Sequence, residues 1–135
     1  LQLDQANLYP VLAADTTVSV DARILGKPQD DDDAFQMLAS LAGRWHEVHT
    51  GIAVATVNGV KTAISTTRVE MPCLSDEKIL AYVATGEPRD KAGAYGIQGL
   101  ASTMIKRIEG SYSGVMGLPI YETTMLLEQA GVRVL

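Results

Sequence analysis

Two runs rich in valine and threonine, Val48 to Val57 and Val60 to Val69, are separated only by Asn58-Gly59. No other feature restricts the fold of this chain as much. Asn-Gly is the dipeptide a type I′ turn prefers, because both central residues need positive φ. The pattern predicts an antiparallel β-hairpin at the centre of the structure. A further segment rich in Val, Thr and Ala, Val11 to Val20, enters behind Pro10 and reads as a strand. Asp21-Ala22-Arg23 reads as a tight turn into a short strand, Ile24-Leu25, which stops at Gly26-Lys27-Pro28.

Helical spacing appears between the strands. Ala34, Met37, Leu38 and Leu41 make one apolar face behind the run Asp30 to Asp33, and Gly43 is placed to end the helix. Ser75, followed by Asp76 and Glu77, can cap a second helix whose buried stripe is Ile79, Tyr82 and Val83. Gly86 would end it, with Pro88 just beyond. Arg89 to Gly99 reads as a loop punctuated by Gly93, Gly96 and Gly99. A β segment follows over Met104 to Ile108, then a glycine-rich loop from Ser111 to Gly117 and a last helix from Pro119 through Glu128. The expectation is an α/β fold with a mixed sheet and flanking helices, a single domain over residues 1–135.

A chain of 135 residues is long enough to bury a real core. Its 11 basic against 16 acidic side chains give a formal charge of −5. That balance offers no general attraction for a polyanion, so a nucleic-acid polymer is not an expected partner. A small anion held by a few placed cations remains open. The single cysteine, Cys73, excludes an internal disulfide framework and a multi-cysteine zinc site. No apolar run is long enough to span a bilayer and no signal segment opens the chain, so a cytoplasmic protein with no membrane partner is expected. The chain starts at Leu1 and enters a strand-like segment almost at once, which suggests a fragment or a processed chain.

Several polar groups have structural readings. His46 and His49 sit in H-E-V-H, whereas a zinc helix needs H-E-x-x-H; on a strand their odd spacing sends them to opposite faces. Cys73 has no cysteine or histidine near it in sequence and reads as a buried, inert thiol. Asp30 to Asp33 lack the glycine and terminal glutamate of a calcium loop and read as a solvated helix N-terminus.

Three features point to chemistry. Asp15 is a carboxylate inside an otherwise apolar strand, where strands are poor in Asp and desolvation is costly. Two readings stand open for it: a strand-edge Asp bonded to backbone, or a carboxylate that holds a metal or a water. Lys27, on a rigid loop between Gly26 and Pro28, could hold a phosphate or be a plain surface lysine. The loop Asp90 to Gly99 has glycines three apart, which permit close backbone approach to a ligand, and Gln98 offers a donor and an acceptor to a base edge. It is neither a Walker A loop nor a G-x-G-x-x-G fingerprint. The residues alone point to an anion-binding α/β domain suited to metal-assisted phosphate chemistry.

The order and spacing of A-A-D-T at 13–16, I-L-G-K-P at 24–28, L-A-G-R-W-H-E-V-H-T-G at 41–51, Y-V-A-T-G-E-P-R-D-K-A-G-A-Y-G-I-Q-G at 82–99 and I-E-G-S-Y-S-G-V-M-G-L-P at 108–119 resemble the Maf family. The family takes its name from septum formation and is associated with nucleoside triphosphate pyrophosphatase activity. The resemblance implies a fold similar to the house-cleaning inosine triphosphate pyrophosphatases. It implies hydrolysis of a nucleoside triphosphate to the monophosphate and pyrophosphate with a divalent cation, Mg²⁺ or Mn²⁺. Asp15 occupies the position of the family's general base, directly or beside the metal, and Lys27 that of a lysine meeting the phosphates. Asp90 and Lys91 match a D-K-A-G loop that would make a second phosphate or metal contact.

Thr16 and Gln98 resemble the branch acting on dTTP, UTP and modified pyrimidine nucleotides, where a branch resembling 7-methyl-GTP pyrophosphatases carries glutamine and glutamate. A neutral amide can pair with the thymine or uracil edge; an ionised carboxylate can only accept. The alternatives carried with this reading are the 7-methyl-GTP type and an inactive nucleotide-binding domain linked to cell division. Homodimers are expected from the same resemblance. The chain departs from the family in two places. The N-terminal S-x-S-P-R-R motif, with its phosphate-binding arginine and part of the metal site, is absent, which implies impaired turnover and apolar surface left uncovered. Glu70-Met71-Pro72 stands where the family has T-F-R, which removes an arginine from the expected substrate contacts.

Overall fold

A computed structural model describes residues 9–135. Its strands are β1 (Val11–Val20), β2 (Arg23–Leu25), β3 (Trp45–Thr56), β4 (Gly59–Glu70) and β5 (Arg107–Glu109). The helices are α1 (Asp31–Leu41), α2 (Asp76–Ala84), α3 (Tyr112–Met116) and α4 (Ile120–Gln129), and 3₁₀ turns cover Glu87–Asp90, Ala92–Ala94 and Leu100–Met104. The five strands form one sheet in the order β2-β1-β3-β4-β5.

The α/β class and its helices agree with the sequence pattern, but among the described residues the sheet is not mixed: all four ladders are antiparallel. The reason lies in β1. It pairs with β2 on one side and β3 on the other, antiparallel to both, so β2 and β3 run in the same direction without touching. The connection through α1 therefore has the helical crossover that usually joins neighbouring parallel strands, with β1 inserted between them.

The central hairpin forms, with a different turn. Thr56 pairs with Gly59, leaving Val57 and Asn58 as the loop. Only Gly59 has positive φ, at 125°; neither Val57 nor Asn58 does. The Asn58 N–H donates to the Thr56 hydroxyl at 3.2 Å, a side-chain turn that moves the reversal one residue earlier than Asn-Gly alone predicts. The paired positive φ values of a type I′ turn appear instead at Asp21 (50°) and Ala22 (58°), between β1 and β2.

Both expected caps are present. Asp30 accepts from the Asp33 N–H at 2.7 Å, and Asp33 accepts from the Gln29 N–H at 2.9 Å, so the acidic run is a self-capped helix start. Ser75 accepts from the Lys78 N–H at 3.2 Å. Pro119 lies at the cap of α4, one residue before its first turn. The expected strand from Met104 starts later, because Met104 is buried in the core at the end of a 3₁₀ turn and the chain joins β4 only where Lys106 N–H donates to the Glu70 carbonyl.

Along β3, residues 46, 48, 50, 52 and 54 are all buried. Val48, with Val18, Val20 and Val69, packs against Leu38 and Leu41 of α1 and Ile79 and Val83 of α2. Ile52 and Val54 pack against Leu126 of α4. The other face is exposed or half-buried through Glu47, His49, Gly51 and Ala53 on β3 and exposed at Thr62, Ile64, Thr66 and Arg68 on β4. His46 and His49 point to opposite faces as expected: one buried, the other half-buried. Cys73 is exposed, which corrects the buried reading; it lies in the extended stretch between β4 and α2 rather than in either core. Among the described residues, no helix is long and apolar enough to cross a membrane.

Candidate functional site

A cleft of about 240 Å³ opens between β1, the loop after β2, the glycine loop and α3. Asp15, Thr16, Lys27, Asp90, Lys91 and Gln98, the six residues singled out from sequence, all line it. The chain separates them by up to 83 positions; the β1–β2 turn and the return of the glycine loop across α1 bring them together.

β2 pairs with β1 only from Val18 onward, so among the described residues the stretch before it is bonded on one side alone, to β3. Asp15 sits in that one-sided stretch and is exposed, which corrects the expectation of a desolvated carboxylate. A strand edge accommodates an Asp without removing its water. Asp15 Oδ1 accepts from the Thr16 N–H at 3.0 Å. Its other oxygen makes no hydrogen bond among the described residues, and the residue lines the cleft.

Thr16 is fixed from behind. The buried Thr50 hydroxyl donates to the Gly114 carbonyl at 2.7 Å and lies 2.9 Å from the Thr16 hydroxyl. A hydroxyl has one proton, so with that of Thr50 committed, Thr16 must donate inward. What Thr16 shows the cleft is lone pairs. The same contact ties α3, which contributes Val115 and Met116 to the cleft wall, onto β3.

Two cations face these groups. The Gly93 N–H donates to the Gly26 carbonyl at 3.1 Å, joining the loop that carries Lys27 to the loop that carries Lys91. Gly93 has φ +74°, and a Cβ there would come within 3.0 Å of Val18. Lys91 Nζ donates to Asp90 Oδ1 at 3.0 Å. That bond, then the charges of Lys91 and Lys27, hold the Asp90 carboxyl below the usual carboxylate range.

Behind the glycine loop stands a set of groups the sequence reading missed. Glu87 accepts from the Tyr82 hydroxyl at 2.8 Å and from the N–H groups of Leu100 and Ala101 at 2.9 and 3.2 Å. Burial opposes its charge, but those bonds and the charge of Lys91 keep its pKa below the ordinary value. The Gly96 N–H donates to the Tyr82 hydroxyl at 3.4 Å. Burial, and then the bond to Glu87, push Tyr82 up. Tyr95 lines the cleft and meets His46 Nε2 through its hydroxyl at 2.6 Å. The signal for these groups was a Tyr, Glu and His at positions that read as helix stripe, loop and strand face.

Glu70-Met71-Pro72 is not part of the cleft. Met71 is in the core, Glu70 pairs with Lys106 at 3.1 Å, and the Pro72 carbonyl accepts from the Gly43 N–H.

A family model described as Maf-like protein matches residues 2–130. The dTTP/UTP pyrophosphatase of Methylobacillus flagellatus is 68% identical over 125 residues, 93% of this chain and 63% of that protein. Those of Bordetella parapertussis and Nitrosomonas europaea are 54% and 53% identical, over 93% and 94% of this chain and 60% and 61% of their own lengths. The chain spans about three-fifths of the length of these curated relatives.

Proposed function

This chain belongs to the Maf family, and we propose that it carries the nucleotide site of a nucleoside triphosphate pyrophosphatase selective for dTTP and UTP. One observation supports the reading above all: a carboxylate, two ammonium groups and a side-chain amide from three separate stretches converge on one cleft. Water attacks the α-phosphorus, the bond from that phosphorus to the bridging oxygen breaks, and the monophosphate and pyrophosphate leave. Asp15 accepts the water's proton on the oxygen that the Thr16 N–H does not hold. Lys27 and Lys91 offset charge on the phosphates. Gln98 pairs with the pyrimidine edge, and Thr16 offers lone pairs to a donor such as an imide N–H.

A divalent cation suits the charge balance. Among the described residues the charged side chains lining the cleft, Lys27 and Lys91 with Asp15 and Asp90, sum to zero, so a bound triphosphate carries more negative charge than the two lysines offset. Asp90 is committed to Lys91, and no group of three or more His, Cys, Asp or Glu is poised for a metal among the described residues. Asp15 is then the residue to hold Mg²⁺ or Mn²⁺, in the manner of an ion that keeps its waters and takes one carboxylate plus substrate phosphates. The ion supplies charge neutralisation at the phosphates.

The test is pyrophosphate release from dTTP, UTP and 7-methyl-GTP with Mg²⁺ or Mn²⁺. It is run on this chain and on a form lengthened to the full span of the Methylobacillus relative. Asp15→Asn is expected to lower kcat by about 10²–10⁴-fold and Lys27→Ala to weaken substrate binding. Preference for 7-methyl-GTP would overturn the pyrimidine assignment. Nucleotide binding with no turnover in either form would leave a binding domain.

A further inference from the structure

We propose that Glu87 is a positioning residue: with Tyr82 it pins both ends of the turn Gly96–Ala101 and so sets where Gln98 stands in the cleft. Gln98 is exposed and lies midway along that turn. On one side of it the Gly96 N–H is held by the Tyr82 hydroxyl; on the other the Leu100 and Ala101 N–H groups are held by the Glu87 carboxylate. The two anchors are joined to each other, since Tyr82 donates to Glu87. The turn is also packed tightly at both glycines. A Cβ on Gly96 would come within 2.5 Å of the Lys91 stem, and one on Gly99 within 2.5 Å of the Glu87 carboxylate. Glu87 comes from the turn after α2, so the position of Gln98 is referred to the core rather than left to the loop.

The chemistry requires a carboxylate. Glu87 Oε1 takes two donors and Oε2 takes a third. A glutamine amide keeps one accepting oxygen but sets its own N–H groups against a backbone N–H, so Glu87→Gln loses at least one anchor while keeping size and shape. Tyr82→Phe removes the Gly96 anchor without changing charge.

The inference rests on the proposed function for what Gln98 meets, not for how it is held, and the two are separated by two measurements on the whole chain. The first is amide hydrogen exchange at residues 96–101, with β3 as internal reference. Exchange at Leu100 and Ala101 in Glu87→Gln, and at Gly96 in Tyr82→Phe, is expected to rise about tenfold or more while β3 is unchanged. The second is affinity for dTTP compared with inorganic tripolyphosphate. Both variants are expected to bind dTTP about tenfold more weakly with no loss of tripolyphosphate affinity, because Lys27 and Lys91 remain in place. Unchanged exchange would overturn the anchoring. Faster exchange with dTTP affinity intact, or with both ligands weakened equally, would overturn the positioning. A wild-type chain that binds tripolyphosphate but gains nothing from the base would count against the pyrimidine reading, with exchange still deciding the anchoring.

Discussion

The hydroxyl of Tyr95 and Nε2 of His46 lie 2.6 Å apart, with the two rings edge to face and 5.4 Å between centroids. His46 Nδ1 is buried without a hydrogen-bond partner among the described residues, and burial lowers the His46 pKa from 6.5 to about 4. The folded imidazole is therefore neutral where the unfolded one titrates. Between about pH 6.5 and 4 the unfolded chain binds more protons, so stability is full above that window and is lost as pH falls through it. The loss approaches about 3 kcal/mol at the acid end. Denaturant midpoints measured across the window check this, and a His46→Gln variant should flatten the slope.

Thr50 is expected to matter more than a buried threonine usually does. Thr50→Val takes from the Gly114 carbonyl the shorter of its two hydrogen bonds, leaving that from the Gly117 N–H, and frees the Thr16 hydroxyl to turn its proton toward the cleft. The expected cost is about 1–3 kcal/mol of stability, together with weaker dTTP binding. Thr50→Ser should recover most of both. Equal dTTP affinity in Thr50→Val would show that the direction of the Thr16 proton is irrelevant to the ligand.

What the sequence made legible follows from where the information is local. The long β-rich runs specify β3 and β4, and Asp30 and Ser75 specify their caps, because each signal acts within a few residues. The Asn58-Gly59 signal identified the hairpin but not its turn, since the Thr56 hydroxyl competes for the Asn58 N–H. The antiparallel order could not be read because it depends on β1 inserting between β2 and β3. At the site, Asp15 was visible as a residue type out of place in its strand, Lys27 and Gln98 as polar groups on glycine-bearing loops, and Lys91 only through the family resemblance, which also supplied the roles of the others. Thr50, Glu87 and Tyr95 were not visible, and His46 only as a structural histidine, because their work lies in contacts to Gly114, Leu100 and one another that only the fold creates.

The turn between β1 and β2 holds Ala22 at φ 58° with no glycine to relieve it. A left-handed conformation costs an ordinary residue roughly 1–2 kcal/mol, and glycine gives part of that back through a floppier unfolded chain. Ala22→Gly is expected to stabilise the protein by about 0.5–1 kcal/mol net. A thermal melt reads it directly. A lower midpoint would mean that the turn in solution is not the one described.

Gly93 joins two of the loops that make the site, and substituting it should damage stability and binding together. Its N–H reaches the Gly26 carbonyl next to Lys27, its φ is +74°, and the space a Cβ needs is taken by both methyls of the buried Val18 at 3.0 Å. Gly93→Ala imposes backbone strain and a close contact at once, an expected loss of about 1–3 kcal/mol. Since Val18 belongs to β1, three residues beyond Asp15, the contact can be relieved only by moving the glycine loop away from that strand. Lys91 then retreats from Asp15 while Lys27 stays on the β2 side. Tripolyphosphate affinity should fall at a temperature where the variant remains folded. A variant destabilised to this extent with full tripolyphosphate affinity would show that the two lysines act independently of the Gly93 link.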